Sequence, residues 1–198
     1  PAIDPNANES PTDYFNTVLY NGTGSSNSVT GVGFGPDWTW LKRRNSTSTH
    51  KLMDTVRGDG KTLASNNTDT EQTDSSIFVS LDTDGFTVAG NTNSTNASGG
   101  TYVAWNWKAG GAAVSNTDGT ITSTVSANTE AGFSVVGYTG TGSSFTVGHG
   151  LSSAPEMVIF KDRDTNVNWI VYHKDYASSQ HIQKLNLTDE QQDAGGGY

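Results

Sequence analysis

Two stretches of the chain carry nearly the same pattern: FNTVLYNGTGSSNSVTGVGFGPDWTWLKRR (residues 15–44) and FSVVGYTGTGSSFTVGHGLSSAPEMVIFKDR (residues 133–163). Aligning Phe15 with Phe133 brings further glycine, serine and aromatic positions into register, and one inserted residue extends the match to the end of both stretches: Tyr20 with Tyr138, Gly22 with Gly140, Gly24 with Gly142, Ser26 with Ser144, Pro36 with Pro155, Lys42 with Lys161 and Arg44 with Arg163. Chance does not readily produce so many ordered matches. The chain is therefore an internal duplication.

Both copies alternate apolar and polar residues in short runs, which is the pattern of strands that bury one face. Among the strands that these runs predict are residues 38–43 and 85–88 in the first copy and 145–148 in the second. Gly/Asn/Asp-rich segments that favour turns separate these runs: NGTG, GDG, DTDG and NTNSTNASGG. No window shows a sustained helical stripe, although the polar stretches 66–75 and 187–193 could each hold a helical turn. The sequence predicts an all-β fold, an antiparallel β-sandwich of the jelly-roll or concanavalin A-like type, internally duplicated.

The duplication divides the chain into an extended leader or linker (residues 1–12), a first β-sandwich repeat (13–110) and a second repeat (111–198). The second copy stops at QQDAGGGY, before any counterpart of residues 77–110. About 30 residues, or three strands of ordinary length, are missing from it. We expect either a truncated repeat or one completed by another part of an assembly, since an unfinished sheet leaves an open edge that favours strand pairing.

Charge and composition exclude several classes of partner. The net charge is −9, and charged residues make up only 16% of the chain, which argues against binding to nucleic acid or to an anionic membrane surface. No apolar run approaches the ~20 residues of a membrane span, so no membrane insertion is expected. The chain has no cysteine, and neither disulfides nor cysteine-bound metals stabilise it.

Four tryptophans form two pairs in which the members lie two residues apart and so share a strand face: Trp38 with Trp40, and Trp105 with Trp107. Such a face could stack sugars or fill a core. In the second copy the first pair aligns with Met157 and Ile159, which are ordinary core residues. We therefore interpret both pairs mainly as packing residues.

The fifth tryptophan, Trp169, follows the polar segment RDTNVN, and we expect it to be the most exposed of the five. Together with Asn166 from that loop, and with Asn91 and Asn93 from NTNSTNASGG, it is the candidate glycan-binding set. Aromatic faces and amide groups are the features that bind neutral sugars.

Two carboxylates in the segment LDTDGF, Asp82 and Asp84, form a candidate calcium site, because calcium binds oxygen ligands from such loops. Asp-Gly between strands is also an ordinary hairpin turn, which is our main interpretation. No cofactor is otherwise expected. The four histidines have no metal-ligand spacing, and neither a nucleophile elbow nor a strand-borne carboxylate pair is present, so no catalytic residue is predicted.

Several long motifs resemble one known family: YFNTVLYNGTG, GVGFGPDWTWLKRRN, DTDGFTVAG, GGTYVAWNWKAGG, SNTDGTITSTVSANTEAGFSVVGYTGTG and WIVYHKDY. They are similar to a domain of virion proteins in tailed phages, notably phages of marine bacteria. The domain occurs in tail-fibre-like and other virion-associated proteins and resembles a concanavalin A-like (lectin/glucanase) sandwich. In that family the second copy normally continues into further strands.

The resemblance implies a virion structural or adhesion protein on the extracellular face of the particle, with a lectin-like capacity for host-surface glycans. Other virion proteins are the implied partners, and a homo-oligomer is expected, a trimer if the chain belongs to a fibre. Two alternatives stay open at this point. One is a glycan depolymerase or glycosidase domain, and the other is a purely architectural capsid or tail decoration protein.

Overall fold

A computed structural model of the chain describes residues 10–194. One 3-10 turn, Pro11–Asp13, precedes sixteen strands, and every pairing between these strands is antiparallel, which confirms the all-β prediction. The strands are β1 (Phe15–Asn21), β2 (Asn27–Thr30), β3 (Trp38–Arg43), β4 (Lys51–Asp54), β5 (Lys61–Thr62), β6 (Gln72–Thr73), β7 (Phe78–Asp82), β8 (Gly85–Val88), β9 (Thr101–Trp107), β10 (Val114–Asn116), β11 (Ser123–Asn128), β12 (Phe133–Tyr138), β13 (Met157–Phe160), β14 (Ile170–His173), β15 (His181–Lys184) and β16 (Gln192–Asp193).

The first repeat is a two-layer sandwich. One layer is the sheet β1-β9-β3-β4, and the other is the sheet β2-β8-β7. Alternate residues of both layers point inward and form one core: Val29, Leu41, Met53, Phe78, Phe86, Val88, Tyr102 and Ala104, with Val18, Tyr20 and Leu81 packed against them. The predicted sandwich is therefore complete in the first copy, with the alternation in each strand deciding which residues enter the core.

The second repeat packs on the other face of the larger sheet, where the tryptophans point. Phe133 at the start of β12 lies over Trp38 and Trp107, with ring centroids 5.9 and 6.1 Å apart. Ile159 of β13 and Trp40 both pack against a neighbouring cluster that Leu52, Leu63 and Trp169 form. The tryptophan pairs thus serve packing, as predicted, but their place is between the repeats and not inside the sandwich.

The second copy repeats only part of the first. Its strands form two separate sheets, β10-β11-β12 and β13-β14-β15-β16. By the sequence alignment, β12 corresponds to β1, β13 to β3 and β14 to β4. Within residues 10–194, no strand of the second copy corresponds to β7, β8 or β9.

The structure departs from the sequence-based prediction in three segments. The strand predicted at 145–148 is reduced to one bridge, between Val147 and Ile121. The segments 66–75 and 187–193, where helical turns were expected, instead contain the short strands β6 and β16. Each of these two strands pairs with the strand before it, so tertiary pairing outweighs the weak local preference of these polar residues. Residues 1–9 of the predicted leader lie outside the described residues.

Candidate functional site

A concave surface lies where the two repeats meet. It is an open groove of about 690 Å³, built from four short segments: residues 35–37 before β3, 81–83 at the β7–β8 turn, 108–112 between β9 and β10, and 127–130 at the β11–β12 turn, together with Thr55. Several of these residues are glycine or alanine, so backbone groups and a few polar side chains form much of its surface. Its size falls within the range of small-molecule binding sites, which is about 300–1,000 Å³.

Asp37 forms the inner wall of the groove and fixes its geometry. The side chain is buried, and Oδ2 accepts hydrogen bonds from the backbone N–H groups of Ala109 (2.7 Å) and Gly111 (3.1 Å). This carboxylate therefore holds the linker between the repeats against the loop before β3. Its first role is structural.

Two other carboxylates line the groove and are more accessible. Oδ1 and Oδ2 of Asp82 accept hydrogen bonds from Ser80 and Thr87, both at 2.7 Å. Oε2 of Glu130, which is exposed, accepts one from the Tyr14 hydroxyl at 3.0 Å. Each carboxylate oxygen has two acceptor positions, so both groups keep capacity for a ligand donor. Their present partners hold the side chains in place, which lowers the entropy lost on binding.

The groove can therefore bind a ligand that donates several hydrogen bonds. Among its lining residues, Asp82 and Glu130 carry anionic acceptor groups, and Thr83 and Thr129 carry hydroxyls that can donate or accept. Lys108 is the one cationic residue that lines it in the part of the chain that the structure describes. This balance suits neutral polyhydroxylated ligands and disfavours strongly anionic ones.

The calcium candidates Asp82 and Asp84 lie on one hairpin, as the turn interpretation predicts. Asp82 pairs with Gly85, and Thr83 and Asp84 form the two-residue connection. The carboxylate of Asp84 accepts from the backbone N–H groups of Gly33 (2.6 Å) and Gly31 (3.1 Å), so it binds the loop that follows β2. In residues 10–194 no cluster of three or more His, Cys, Asp or Glu side chains could hold a metal ion.

A pH titration tests the role of Asp84. The backbone hydrogen bonds from Gly33 and Gly31 hold the pKa of this carboxyl below its usual range. A lowered folded-state pKa means that the stabilising effect is present above the unfolded pKa of about 3.9 and is lost as the pH falls through the lower folded value. We expect the amide ¹⁵N shifts of Gly31 and Gly33 to titrate with a midpoint below pH ~3.9.

Asp84→Asn is the matched control for that titration, because it keeps the side-chain shape and removes the ionisable group. The acid transition of both glycine shifts should then disappear. A midpoint at or above the ordinary aspartate value would show that these hydrogen bonds do not favour the charged form in solution.

The structure corrects the expectation for Trp169. Its side chain is only 5% exposed, so the sequence-based expectation that it is the most exposed tryptophan is wrong. The indole Nε1–H donates to the carbonyl of Ala64 at 2.8 Å, and the ring packs against Leu52 and Leu63 of the first repeat. Trp169 is therefore a packing residue between the repeats and offers no face to a sugar.

The three asparagines of the candidate glycan set are exposed but lie on different loops. Asn91 and Asn93 belong to the loop between β8 and β9, and Asn166 belongs to the loop between β13 and β14. Oδ1 of Asn91 accepts from the N–H of Ser98, and Oδ1 of Asn93 accepts from the Arg43 guanidinium. None of the three lines the groove.

Sequence reasoning missed Asn96, which organises the loops at one end of the first sandwich. The residue is fully buried. Its Oδ1 accepts from Thr23 N–H and Asn27 Nδ2, at 3.0 and 3.1 Å, and its Nδ2 donates to the carbonyls of Gly90 and Ser25. This one side chain therefore joins two loops, the one between β1 and β2 and the one between β8 and β9.

Sequence reasoning also missed the groove acids Asp37 and Glu130. A signal existed for Asp37: it follows Pro36, and the aligned Pro155 of the second copy is also followed by an acid, Glu156. No comparable signal existed for Glu130, because its place beside the groove depends on how the two repeats pack.

The fold and the groove define a class of protein: a two-layer β-sandwich with a second, partial copy of its strands packed on its aromatic face, and a shallow acidic groove at their junction. The chain belongs to the family described as a domain of unknown function, DUF7483, whose model matches residues 10–197. No curated protein and no solved structure matches the chain. Within the described residues, no helix has the length and apolar character needed to cross a membrane.

Proposed function

We propose that this protein is a structural and attachment module of a phage virion, part of a tail fibre or another surface appendage, and that it binds host-surface glycan in the groove between its repeats. The observation that carries the proposal is the groove itself, which is lined by Asp82, Glu130 and two threonines, Thr83 and Thr129. The long motifs that resemble phage virion domains support the assignment of this protein to a virion. The proposed partners are other virion proteins, and the proposed functional form of the chain is a homo-oligomer.

The chemistry of the groove narrows the ligand class. Sugar hydroxyls donate to carboxylates, and the small residues of the 108–112 segment let a ring approach the backbone closely. A shallow open groove gives weak binding at one site. Many copies on one particle raise the overall avidity by about 10²–10⁴-fold. The proposed ligand is a neutral or amino-sugar polysaccharide that the particle engages at many points.

Binding of the purified chain to extracted host-surface polysaccharide tests this proposal. Glu130→Gln removes one negative charge from the groove, and we expect it to weaken binding about tenfold, since a hydrogen bond to a charged group contributes ~1.5–3 kcal/mol. Thr129→Trp should abolish binding by filling the groove. Affinity is measured by titration calorimetry on folded protein.

The control variant is Asp59→Asn, which removes an exposed acid that does not line the groove. It should bind as the wild type does. If Asp59→Asn and Glu130→Gln weakened binding equally, net charge and not the groove would be responsible. Binding that survives Thr129→Trp would contradict the proposed site.

A second candidate function, glycan cleavage, is favoured by the three carboxylates that line the same groove, since glycosidases use a pair of them. Glycan cleavage would release reducing ends when the chain is incubated with host polysaccharide. Release that is abolished by Asp82→Asn or Glu130→Gln would favour this candidate. Intact polysaccharide after prolonged incubation with a binding-competent sample would favour attachment alone.

A further inference from the structure

A second cavity, the Trp40 pocket, lies between the two repeats and shares no lining residue with the groove. Its volume is about 280 Å³. The first repeat lines one side and the segment after β15 lines the other: Trp40, His50, Ser65 and Asn66 on the first side, and Leu185, Asn186, Leu187 and Thr188 on the second. Sites for drug-sized ligands measure ~300–1,000 Å³, so this pocket suits one small chemical group of a ligand.

Hydrogen bonds hold the first side of the pocket in place. The indole Nε1–H of Trp40 donates to Nδ1 of His50 at 2.8 Å. The backbone N–H of His50 donates to Oδ1 of Asn66 at 2.9 Å. Both bonds occupy acceptors of lining residues and leave donors for a ligand. Because the three side chains are held relative to one another before binding, less entropy is lost when a ligand enters.

The proton of the His50 imidazole is on Nε2. Burial, with the nearby charge of Lys42, lowers the pKa of His50 below its ordinary value of about 6.5, so the ring is neutral at pH 7. A neutral imidazole carries one proton, and Nδ1 accepts from Trp40, so Nε2 is the donor. Within residues 10–194, neither this Nε2–H nor the amide Nδ2 of Asn66 has a hydrogen-bond partner.

A buried hydroxyl in the pocket lining also lacks a partner. Ser65 is only 3% exposed, and in the part of the chain that the structure describes its side chain makes no hydrogen bond. Leaving a buried hydroxyl unpaired costs free energy, which a polar group of a ligand would offset. The first side of the pocket therefore favours a ligand that carries a hydrogen-bond acceptor.

The second side of the pocket is mainly apolar. Leu185 packs against the Leu52, Leu63 and Trp169 cluster, and Leu187 is 45% exposed. The side-chain amide of Asn186 is engaged at both ends: Oδ1 accepts from the Trp169 N–H at 2.9 Å, and Nδ2 donates to Asn168 at 2.8 Å. Among the described residues that line the pocket, none is Asp, Glu, Lys or Arg. A neutral ligand with a small apolar group fits this surface.

We propose that the Trp40 pocket binds the acetamido group of an N-acetylated amino sugar. An acetamido carbonyl oxygen has two lone pairs and accepts from His50 Nε2–H and from the Asn66 amide. The acetyl methyl group packs against Trp40 and the two leucines, Leu185 and Leu187. A sugar hydroxyl supplies no methyl group, and a carboxylate would bring a charge to a lining that carries none. The choice of a sugar as the carrier of this group rests on the proposed attachment function, whereas the pocket itself is separate from the groove.

Two methyl glycosides that differ at one ring position test the proposal on the full chain. Methyl N-acetylglucosaminide and methyl glucoside are each titrated into the ¹⁵N-labelled protein. We expect the first to give saturable amide shifts at residues 65–66 and 185–188, with saturation transfer from the protein strongest at the acetyl methyl protons. The second lacks the acetamido group, and its affinity for the pocket should be at least tenfold lower.

A matched pair of chain variants tests the donor role of Asn66. Asn66→Asp keeps an oxygen that accepts from the His50 N–H and replaces the amide donor with a negative charge. We expect the affinity for methyl N-acetylglucosaminide to fall at least tenfold. Asn166→Asp adds the same charge at an exposed residue outside the pocket lining and should leave the affinity unchanged. Circular dichroism checks that both variants are folded, and the comparison of the two glycosides on the wild type needs neither.

Three outcomes would overturn the proposal. The first is equal affinity for the two glycosides, and the second is the absence of shifts at residues 65–66 and 185–188 at saturating N-acetyl glycoside. The third is tighter binding of an acetyl-lysine peptide at the same residues, which would assign the pocket to an acetylated protein. Glycan shifts in the groove alone would overturn the pocket and leave the proposed groove site standing, and glycan shifts in the pocket alone would do the reverse.

Discussion

Trp169→Ala is expected to lower the free energy of unfolding by about 3–5 kcal/mol, the usual cost of removing a large buried aromatic side chain. Trp169 belongs to the second repeat, and its indole packs against Leu52 and Leu63 of the first repeat. The substitution removes this packing and leaves the Ala64 carbonyl without its indole donor. Urea denaturation monitored by circular dichroism measures the loss.

Two further variants separate packing from hydrogen bonding at this site. Trp169→Phe keeps much of the apolar contact and removes the donor to Ala64, so it should cost less, about 1–3 kcal/mol. Val167→Ala changes a nearby side chain that is 45% exposed, and its effect should stay within about 0.5 kcal/mol. A stable Trp169→Ala variant that had lost only glycan binding would contradict the packing role.

Asn96→Ala is expected to cost about 3 kcal/mol of unfolding free energy, because it leaves several buried polar groups without partners. The Thr23 N–H and the Gly90 carbonyl both lose their bond to this side chain. The effect should be centred on the loops at this end of the first sandwich, so amide exchange should accelerate at Thr23 and Gly24. Denaturation and hydrogen exchange together measure the total loss and its location.

The matched control is Asn91→Ala, in the same loop but exposed. Its one bond to the Ser98 N–H is accessible to water, which can replace it, so the cost should stay below about 1 kcal/mol. Equal costs for the two variants would mean that Asn96 does not organise the loops.

Much of the first repeat could be predicted from the sequence because its strands obey simple alternation. The predicted strand over residues 38–43 is β3 without any change, and that over 85–88 is β8. In both, the apolar positions recur at every second residue and a glycine or proline marks a nearby boundary. Because the chain is duplicated, a strand in the first copy also predicts a strand at the aligned residues of the second. Accordingly, β12 begins at Phe133, the residue aligned with Phe15 of β1.

The alignment was least informative where the partner strands differ. Val147 aligns with Val29, but the strand that pairs with Val29 in the first copy is β8, which has no counterpart in the second. The segment around Val147 therefore keeps only a single bridge, to Ile121. A strand requires a partner as well as a pattern, and a sequence pattern alone does not supply the partner.

The candidate site was harder to predict because its residues come together only through packing of the two copies. Asp82 was identified from its loop, whereas Asp37 and Glu130 reach the same groove from distant segments. The prediction for Trp169 was wrong because a tryptophan beside polar residues suggests exposure, whereas its side chain packs against Leu52 and Leu63 of the first repeat. Asn96 could not be distinguished from Asn91 and Asn93 because its burial depends on how the β1–β2 and β8–β9 loops fold together.

Mapping of glycan contacts by amide chemical shifts tests whether the glycan binds in the groove between the repeats. Oligosaccharides from the host-surface polysaccharide are titrated into the ¹⁵N-labelled chain. If the glycan binds in the groove, saturable shifts are expected at residues 81–83, 108–112 and 127–130, the segments that line it. Shifts confined to residues 91–99 or 161–168, or no shifts at saturating oligosaccharide, would contradict binding between the repeats.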